Sequence, residues 1–454
     1  MFSQSLRTQA IACLPALLVS GCLSSSPHDS AFDDYSRITA PSKRSGPGVS
    51  EAALESGTLL LGPLVAQVLA RNPSIEMARE GWRGALAQYT EATAYGDTQL
   101  TYTVAPLSVL SSSVKFGQGI QVSQALPYPG KRKLRGEIVL AEAEAKREGY
   151  QAVRRRLGLM TARLYYDYFL VGRALTINGE HQRLLARHLT AVTMYMSTGK
   201  AWLEDAAEVR VAAAELKQQN IALASQRDVL VAQLNALLHR RAAAPVPAPP
   251  KELAAPTSSV GEFSALHDEA VAARPELRAV GHQITAAKGA VALAKKDFYP
   301  DFRVIGSYNG MWASIEHQLM VGVSVNLPVQ RARRKGAVQR SQASLRSVRA
   351  GQAILRDQIG SEVQTARLRA LAADEIVKAY RDDILPAARS RIVANSAGLP
   401  TGRTNFVEVI RAETGLKLLE FKYASAIASA YRYRADLAAA IGRVPGLASE
   451  GGVR

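Results

Sequence analysis

Apolar residues along most of this chain recur every three or four positions. Val153, Leu157, Met160, Leu164, Tyr168, Val171 and Leu175 fall on one face of a helix. Val209, Leu216, Leu223, Leu230 and Leu237 step by seven, which predicts left-handed supercoiling against a neighbouring helix. Leu416, Leu419, Tyr423, Ala426, Ala430, Tyr433, Leu437 and Ala440 alternate steps of three and four, and the small members let helices approach closely. Proline spacing sets the helix lengths, because an interior proline breaks the hydrogen-bond ladder. None occurs between Pro129 and Pro245, between Pro328 and Pro386, or between Pro400 and Pro445. A continuous helix from Lys131 to a turn near Ser197 would reach on the order of 100 Å at about 1.5 Å per residue. A compact domain has no use for that length.

Just before the long helical stretches the period shifts to two. Leu319, Val321, Val323, Val325 and Leu327 alternate with Gln318, Met320, Gly322, Ser324 and Asn326. Phe302, Val304 and Tyr308 against Arg303, Ser307 and Asn309 predict the partner strand, with Gly310 to Ser314 as the turn. Earlier, Leu100, Tyr102 and Val104 alternate with Gln99, Thr101 and Thr103, and Ile120 and Val122 with Gln121 and Ser123. Such strands fit a transmembrane barrel with a wet lumen. They fit equally a half-buried sheet away from any membrane, and the alternation leaves both open. Four strands cannot close a barrel alone, so the barrel reading requires several copies of the chain.

The chain reads as two similar halves. Arg71-Asn72-Pro73-Ser74-Ile75 returns as Ala273-Arg274-Pro275-Glu276-Leu277, Ser123 to Pro127 as Ser324 to Pro328, and Gly199 as Gly398, each roughly 200 residues later. Each half is expected to hold a helix, two short strands and two long helices. Pro245 to Pro250 is a stiff extended linker by its proline density. The expected divisions are a leader over 1–21, a Ser, Pro and Gly-rich tether over 22–58, a first repeat over 59–244, a linker over 245–260, a second repeat over 261–443 and a tail over 444–454.

Composition narrows the class. At 47% hydrophobic and 21% charged the chain can bury a core, and 6% aromatic with much Ala, Arg, Gln and Leu favours long helices. Both cysteines lie in the first 22 residues, which leaves no disulfide framework in the body. Arg7, the apolar run Ile11 to Val19 and Val19-Ser20-Gly21-Cys22 resemble a bacterial lipoprotein signal, whose cleavage would leave Cys22 acylated; Leu23 after it favours the outer membrane. An ordinary signal peptide or a short buried helix also fits that run. Beyond it no uninterrupted apolar stretch of about 18 residues occurs, so any membrane crossing must be made by strands. The net charge of +17 invites a nucleic-acid reading, but the arginines are spread over long helices and the export signal removes the chain from cytoplasmic nucleic acid.

The order of elements, the Asn72-Pro73 opening, the Leu-Pro strand ends and the glycines between paired long helices resemble the TolC-like outer-membrane efflux factors. The resemblance covers roughly residues 60 to 443. It implies a mainly α fold with a small β part: duplicated long helical hairpins forming an α-barrel, and four transmembrane strands per protomer contributing to a trimeric β-barrel. It implies a channel that exports small solutes, metal cations or drugs among them, in concert with a periplasmic adaptor and an inner-membrane RND-type pump. Tyr128-Pro129-Gly130-Lys131-Arg132-Lys133-Leu134-Arg135 is similar to a segment of members serving cation and heavy-metal pumps. Lys131 and Arg132, with Arg333 and Arg334 in the second half, would fall where the barrel leaves the membrane and meet anionic headgroups of outer-membrane lipid. The resemblance also implies a periplasmic gate beyond the glycine turns, from Asp205, Arg403 and Glu408, with Arg411 standing where the family has a second acid. The same residues also read as exposed helix starts satisfying the helix dipole.

Catalytic chemistry is not expected. The histidines are scattered, with His181 and His188 seven apart rather than at chelating spacing. No nucleophile elbow, dinucleotide fingerprint or metal-ligand cluster appears, and no cofactor is implied. The competing readings are a periplasmic adaptor, which carries one helical hairpin rather than two, and a lipid-anchored coiled-coil structural protein.

Overall fold

The computed structural model describes residues 27–39, 57–109, 116–197, 202–312, 318–398, 403–404 and 406–447. The chain divides into two units, residues 1–40 and residues 41–454. The first contributes one described helix, α1 (Pro27–Thr39), with Phe32 tilted against Tyr35 at 5.9 Å between ring centres.

The second unit repeats one order of elements. Its first half holds α2 (Leu61–Arg71), α3 (Pro73–Thr93), β1 (Gln99–Val104), the single turn α4 (Pro106–Val109), β2 (Gln118–Leu126), α5 (Lys131–Ser197) and α6 (Leu203–Leu237). Its second half holds α7 (Phe263–Ala273), α8 (Pro275–Lys296), β3 (Phe302–Asn309), β4 (Leu319–Val325), α9 (Arg331–Ala379), a π-turn (Tyr380–Ile384), α10 (Leu385–Gly398) and α11 (Phe406–Ala440).

Three sequence expectations change. The single helix before each strand pair is two, because Pro73 and Pro275 lack an N–H and force the preceding residue out of the helical region: Asn72 has φ −70, ψ 123 and Arg274 φ −64, ψ 117. Pro386 does not end its helix. The ladder widens into the π-turn, where the Leu385 N–H bonds the Tyr380 carbonyl, and helix resumes beyond. Met160 leaves the buried stripe and is 44% exposed, whereas Leu157, Tyr168 and Val171 are buried.

The core is a string of small clusters along the helices. One joins Leu64, Leu157, Tyr165, Tyr168, Leu230 and Leu234; another joins Leu185, Val192, Val209, Leu216 and Ile410; the second half has its own around Ile359, Val363, Leu437 and Ile441. Val209, Leu216 and Leu230 of the heptad are buried, so the seven-residue repeat is the seam of the α5–α6 hairpin. Residues 245–260 are held along the helices: the Leu59 N–H bonds the Ala248 carbonyl at 2.9 Å, and Tyr431 Oη donates to the Ala254 carbonyl at 3.0 Å.

The duplication extends to the caps. The Arg240 N–H bonds Asn235 O and the Arg443 N–H bonds Ala438 O, both at 2.9 Å, so α6 and α11 end in the same six-to-one bond. His239 (φ 53) and Gly442 (φ 93) take the left-handed position. Asn72 Nδ2 donates to Leu237 O at 2.9 Å, and Arg274 Nη1 to Ala440 O at 3.0 Å. The residue before each helix-opening proline thus ties down the end of its own half.

Candidate functional site

The four strands form one antiparallel sheet in the order β1-β2-β3-β4. Register decides what each face carries. Leu100 pairs with Val122, which pairs with Gly306, which pairs with Val321; Tyr102, Ile120, Tyr308 and Leu319 make the next row. Most apolar strand residues therefore share one face, and that face is open: Leu100 is 71% exposed, Leu319 73% and Val321 87%. The opposite face carries Gln99, Thr101, Thr103, Gln121, Ser123, Ser307 and Ser324, with Ile305 and Met320 as large apolar residues among them. Among the described residues β1 and β4 each pair on one side only, leaving two unmatched edges.

A compact polar seam joins sheet to helices. Gly130, at φ 88, turns the chain from β2 into α5. Tyr128 stacks on Tyr299 with ring centres 4.7 Å apart, and Lys296 Nζ sits 5.2 Å above the Tyr128 ring and donates to the Pro129 carbonyl at 3.3 Å. Asp301 Oδ1 accepts the Tyr128 N–H at 2.7 Å and Lys131 Nζ at 3.0 Å. Burial would raise the Asp301 carboxyl, but these donors outweigh it and hold it below the usual range. Lys131 is 3% exposed and also pairs with Asp297 at 3.2 Å, so its charge is matched inside the chain. Arg132 donates to Thr93 O at 2.7 Å and lies 3.6 Å over the Tyr95 ring. Arg334 Nε donates to Asp297 O at 2.6 Å, while Arg333 is exposed.

The far end of the helices carries the predicted gate residues. Asp205 caps α6, its Oδ2 accepting the Trp202 N–H at 2.8 Å. Arg411 reaches from α11 to Glu208 on α6 at 3.1 Å and so joins the two hairpins, rather than turning to Glu408. Asn395 brackets the second turn, donating to Glu408 O at 3.2 Å and accepting from Thr404 Oγ1 at 2.7 Å. The side chains of Arg403 and Glu408 are exposed. Trp202 is 80% exposed and Leu203 73%, an apolar point beside Asp205 that sequence periodicity did not pick out. Glu208 was missed as well, although it stands roughly 200 residues before Arg411, the spacing of the internal repeat. Cys22, Gly199 and Gly402 lie outside the described residues.

Two further ion-pair layers tie the hairpins together. Above the gate end, His188 Nε2 contacts Glu413, His181 Nε2 lies 3.2 Å from Thr414 Oγ1, and Lys417 bridges Glu180 and Glu420, each at 3.0 Å. Nearer the sheet, Arg274 pairs with Glu362 at 2.7 Å and with Glu276, which Arg155 also contacts. No group of three or more His, Cys, Asp or Glu converges as a metal site among the described residues, and no helix of the described residues is long and apolar enough to cross a membrane.

Residues 266–443 match the family model for outer membrane efflux protein. Solved structures share the fold over most of the chain. CusC, reported with conformational changes accompanying folding and transmembrane channel formation, superposes with a TM-score of 0.72 at 17% identity, covering 84% of this chain and 92% of its own. A membrane protein of Pseudomonas aeruginosa gives 0.71 at 18% identity, covering 87% and 95%. The outer membrane protein VceC of Vibrio cholerae gives 0.70 at 16% identity, covering 84% and 96%. No curated protein matches the chain by sequence.

Proposed function

We propose that this chain, which its fold and the match over residues 266–443 place in the TolC-like outer membrane efflux protein family, is the outer-membrane channel of a tripartite efflux system. The observation that carries this is the sheet. A face of exposed Leu, Val, Ile and Tyr backed by a face mostly of Gln, Thr and Ser, with both edges unpaired among the described residues, is stable in a bilayer only when copies of the chain share one closed barrel. Three protomers would give twelve strands. The long hairpins would carry the conduit into the periplasm, toward an adaptor and an RND-type pump that supplies the energy. No residue pattern here calls for catalysis, and the protein would act as a conduit for small solutes.

Several finer assignments belong to this reading. Acylation of Cys22 would anchor each protomer in outer-membrane lipid. Lys131 and Arg132, with Arg333 and Arg334, lie at the seam where strands meet helices, and Arg333 is the one best placed for a headgroup because the others are engaged within the chain. Asp205, Arg403, Glu408 and Arg411 would control the periplasmic entrance, Arg411 through its Glu208 pair.

The deciding experiment is the oligomeric state and planar-bilayer conductance of the detergent-extracted mature protein. A trimer forming discrete channels supports the proposal; a monomer with no conductance sinks it and returns the adaptor reading. Within the same assay, Arg403→Ala with Glu408→Ala should raise conductance. Wild-type conductance in that double variant would remove both residues from the gate.

A further inference from the structure

We infer that the channel prefers anions, and that Arg303 at the sheet's polar face sets the preference; the inference rests on the channel reading above. Alternation and register put one residue set on the polar face: Gln99, Thr101 and Thr103 of β1, Gly119, Gln121, Ser123 and Ala125 of β2, then residues 303–309 and 320–324 at alternate positions. Arg303 is the only charged residue in that set. Its guanidinium bonds side chains of β1 and β2, Nη1 donating to Gln99 Oε1 at 2.5 Å and to Ser123 Oγ at 3.1 Å. Both partners are neutral, so its full positive charge is retained. Among the described residues no carboxylate pairs with it.

Register places Arg303 opposite Ala125 and Ser324, next to the ends from which α5 and α9 leave. In a closed trimer three such arginines would ring the barrel's inner wall at its junction with the helices. The exposed acid Asp97 lies two residues before Gln99 at this end, and the basic start of α9 outnumbers it. From Arg331 to Arg356, α9 carries eight Lys or Arg and no acid before Asp357, and all but Arg334 are exposed. At the opposite end the acids Glu204, Asp205, Glu208 and Glu408 stand beside Arg210, Arg403 and Arg411, so unopposed positive charge is confined to the sheet end. A water-filled path lined by fixed positive charge concentrates anions and excludes cations.

The chemistry that fits is a small anionic solute, such as a carboxylate or an anionic conjugate. A bare metal cation would meet its like charge along this wall. This departs from the cation branch that the Tyr128 to Arg135 segment resembles.

The test is the reversal potential of the reconstituted trimer across a KCl gradient, whose two ions have nearly equal mobility. Three fixed charges on the inner wall predict a chloride-to-potassium permeability ratio on the order of 3 near 0.1 M salt, where the Debye length is about 10 Å, falling toward 1 near 1 M as it shortens to about 3 Å. Arg303→Gln should bring the low-salt ratio toward 1, Arg303→Glu should invert it, and Arg303→Lys should keep it. Cation selectivity in the wild type, or a ratio unmoved by Arg303→Gln in a trimer that still conducts, overturns the inference. A wild-type protein that forms no channel overturns the channel reading itself, and a Gln variant that fails to trimerise leaves the Lys and wild-type measurements to decide.

Discussion

Replacing Asp301 by asparagine should loosen the seam between sheet and helices. The carboxylate receives the Tyr128 N–H at 2.7 Å and both oxygens face Lys131 Nζ at 3.0 Å. Lys131 is buried, with 4% of its side chain exposed, and would keep only Asp297, itself 52% exposed. Breaking a fully buried pair from one side costs about 3–5 kcal/mol. Asp301 is 41% exposed, Asp297 remains, and the amide oxygen still accepts the Tyr128 N–H, so about 1.5–2 kcal/mol is expected here. Lys131→Met keeps the apolar stem, removes the ammonium, and should cost about 1 kcal/mol. In the double variant neither side is orphaned, so the two losses should fall short of their sum by about 1 kcal/mol or more. The assay is the thermal midpoint of the detergent-solubilised trimer by far-ultraviolet circular dichroism, for wild type, both singles and the double. Asp301 is held below its ordinary value of 3.8, so its contribution is present above that pH and lost as pH falls through the lower folded value. The gap between wild type and Asp301→Asn should therefore close in acid. Additive losses, or a gap that persists at low pH, would refute the coupling.

Three further outcomes are expected. Trp82 is fully buried, and Trp82→Ala should lower stability by about 3–5 kcal/mol in the same melt, a loss under about 1 kcal/mol contradicting its place in the core. Gly442→Ala would force a side chain into φ +93 with its Cβ 3.0 Å from the Ala273 carbonyl carbon, costing about 2 kcal/mol or more, whereas the exposed equivalent His239→Gly should stay within about 1 kcal/mol of wild type. Burial, followed by the charges of Lys417 and His188 against the weaker pull of Glu413, lowers the His181 pKa. The unfolded chain then binds the proton more readily, so this residue's contribution is intact above pH 6.5 and lost as pH falls from there toward the folded value. His181→Gln should flatten the melting temperature between pH 7.5 and 5, and an unchanged slope would exclude His181 as its source.

Much of this protein is written in local pattern. The heptad from Val209 to Leu237 determines the hairpin seam, because a seven-residue repeat can be buried only against a second helix. The alternation at Leu100 to Val104 and Leu319 to Val325 determines two strands with a mainly apolar side, since successive side chains point oppositely. The internal repeat predicts matched order in the two halves. What the pattern leaves undecided is whatever depends on which segments meet. Nothing local aligns the apolar sides of strands roughly 200 residues apart on one face; pairing of β2 with β3 does that. Lys131 reads as a surface charge until Asp297 and Asp301, from the other half, arrive beside it. Arg411 has an acid three residues away in Glu408, yet its partner is Glu208, because α6 of the other hairpin comes within reach of its guanidinium. Pro386 reads as a stop, yet the helix continues past it because the ladder widens into a π-turn just before it. Periodicity is a property of neighbours along the chain, while charge pairing and sheet register are properties of neighbours in space.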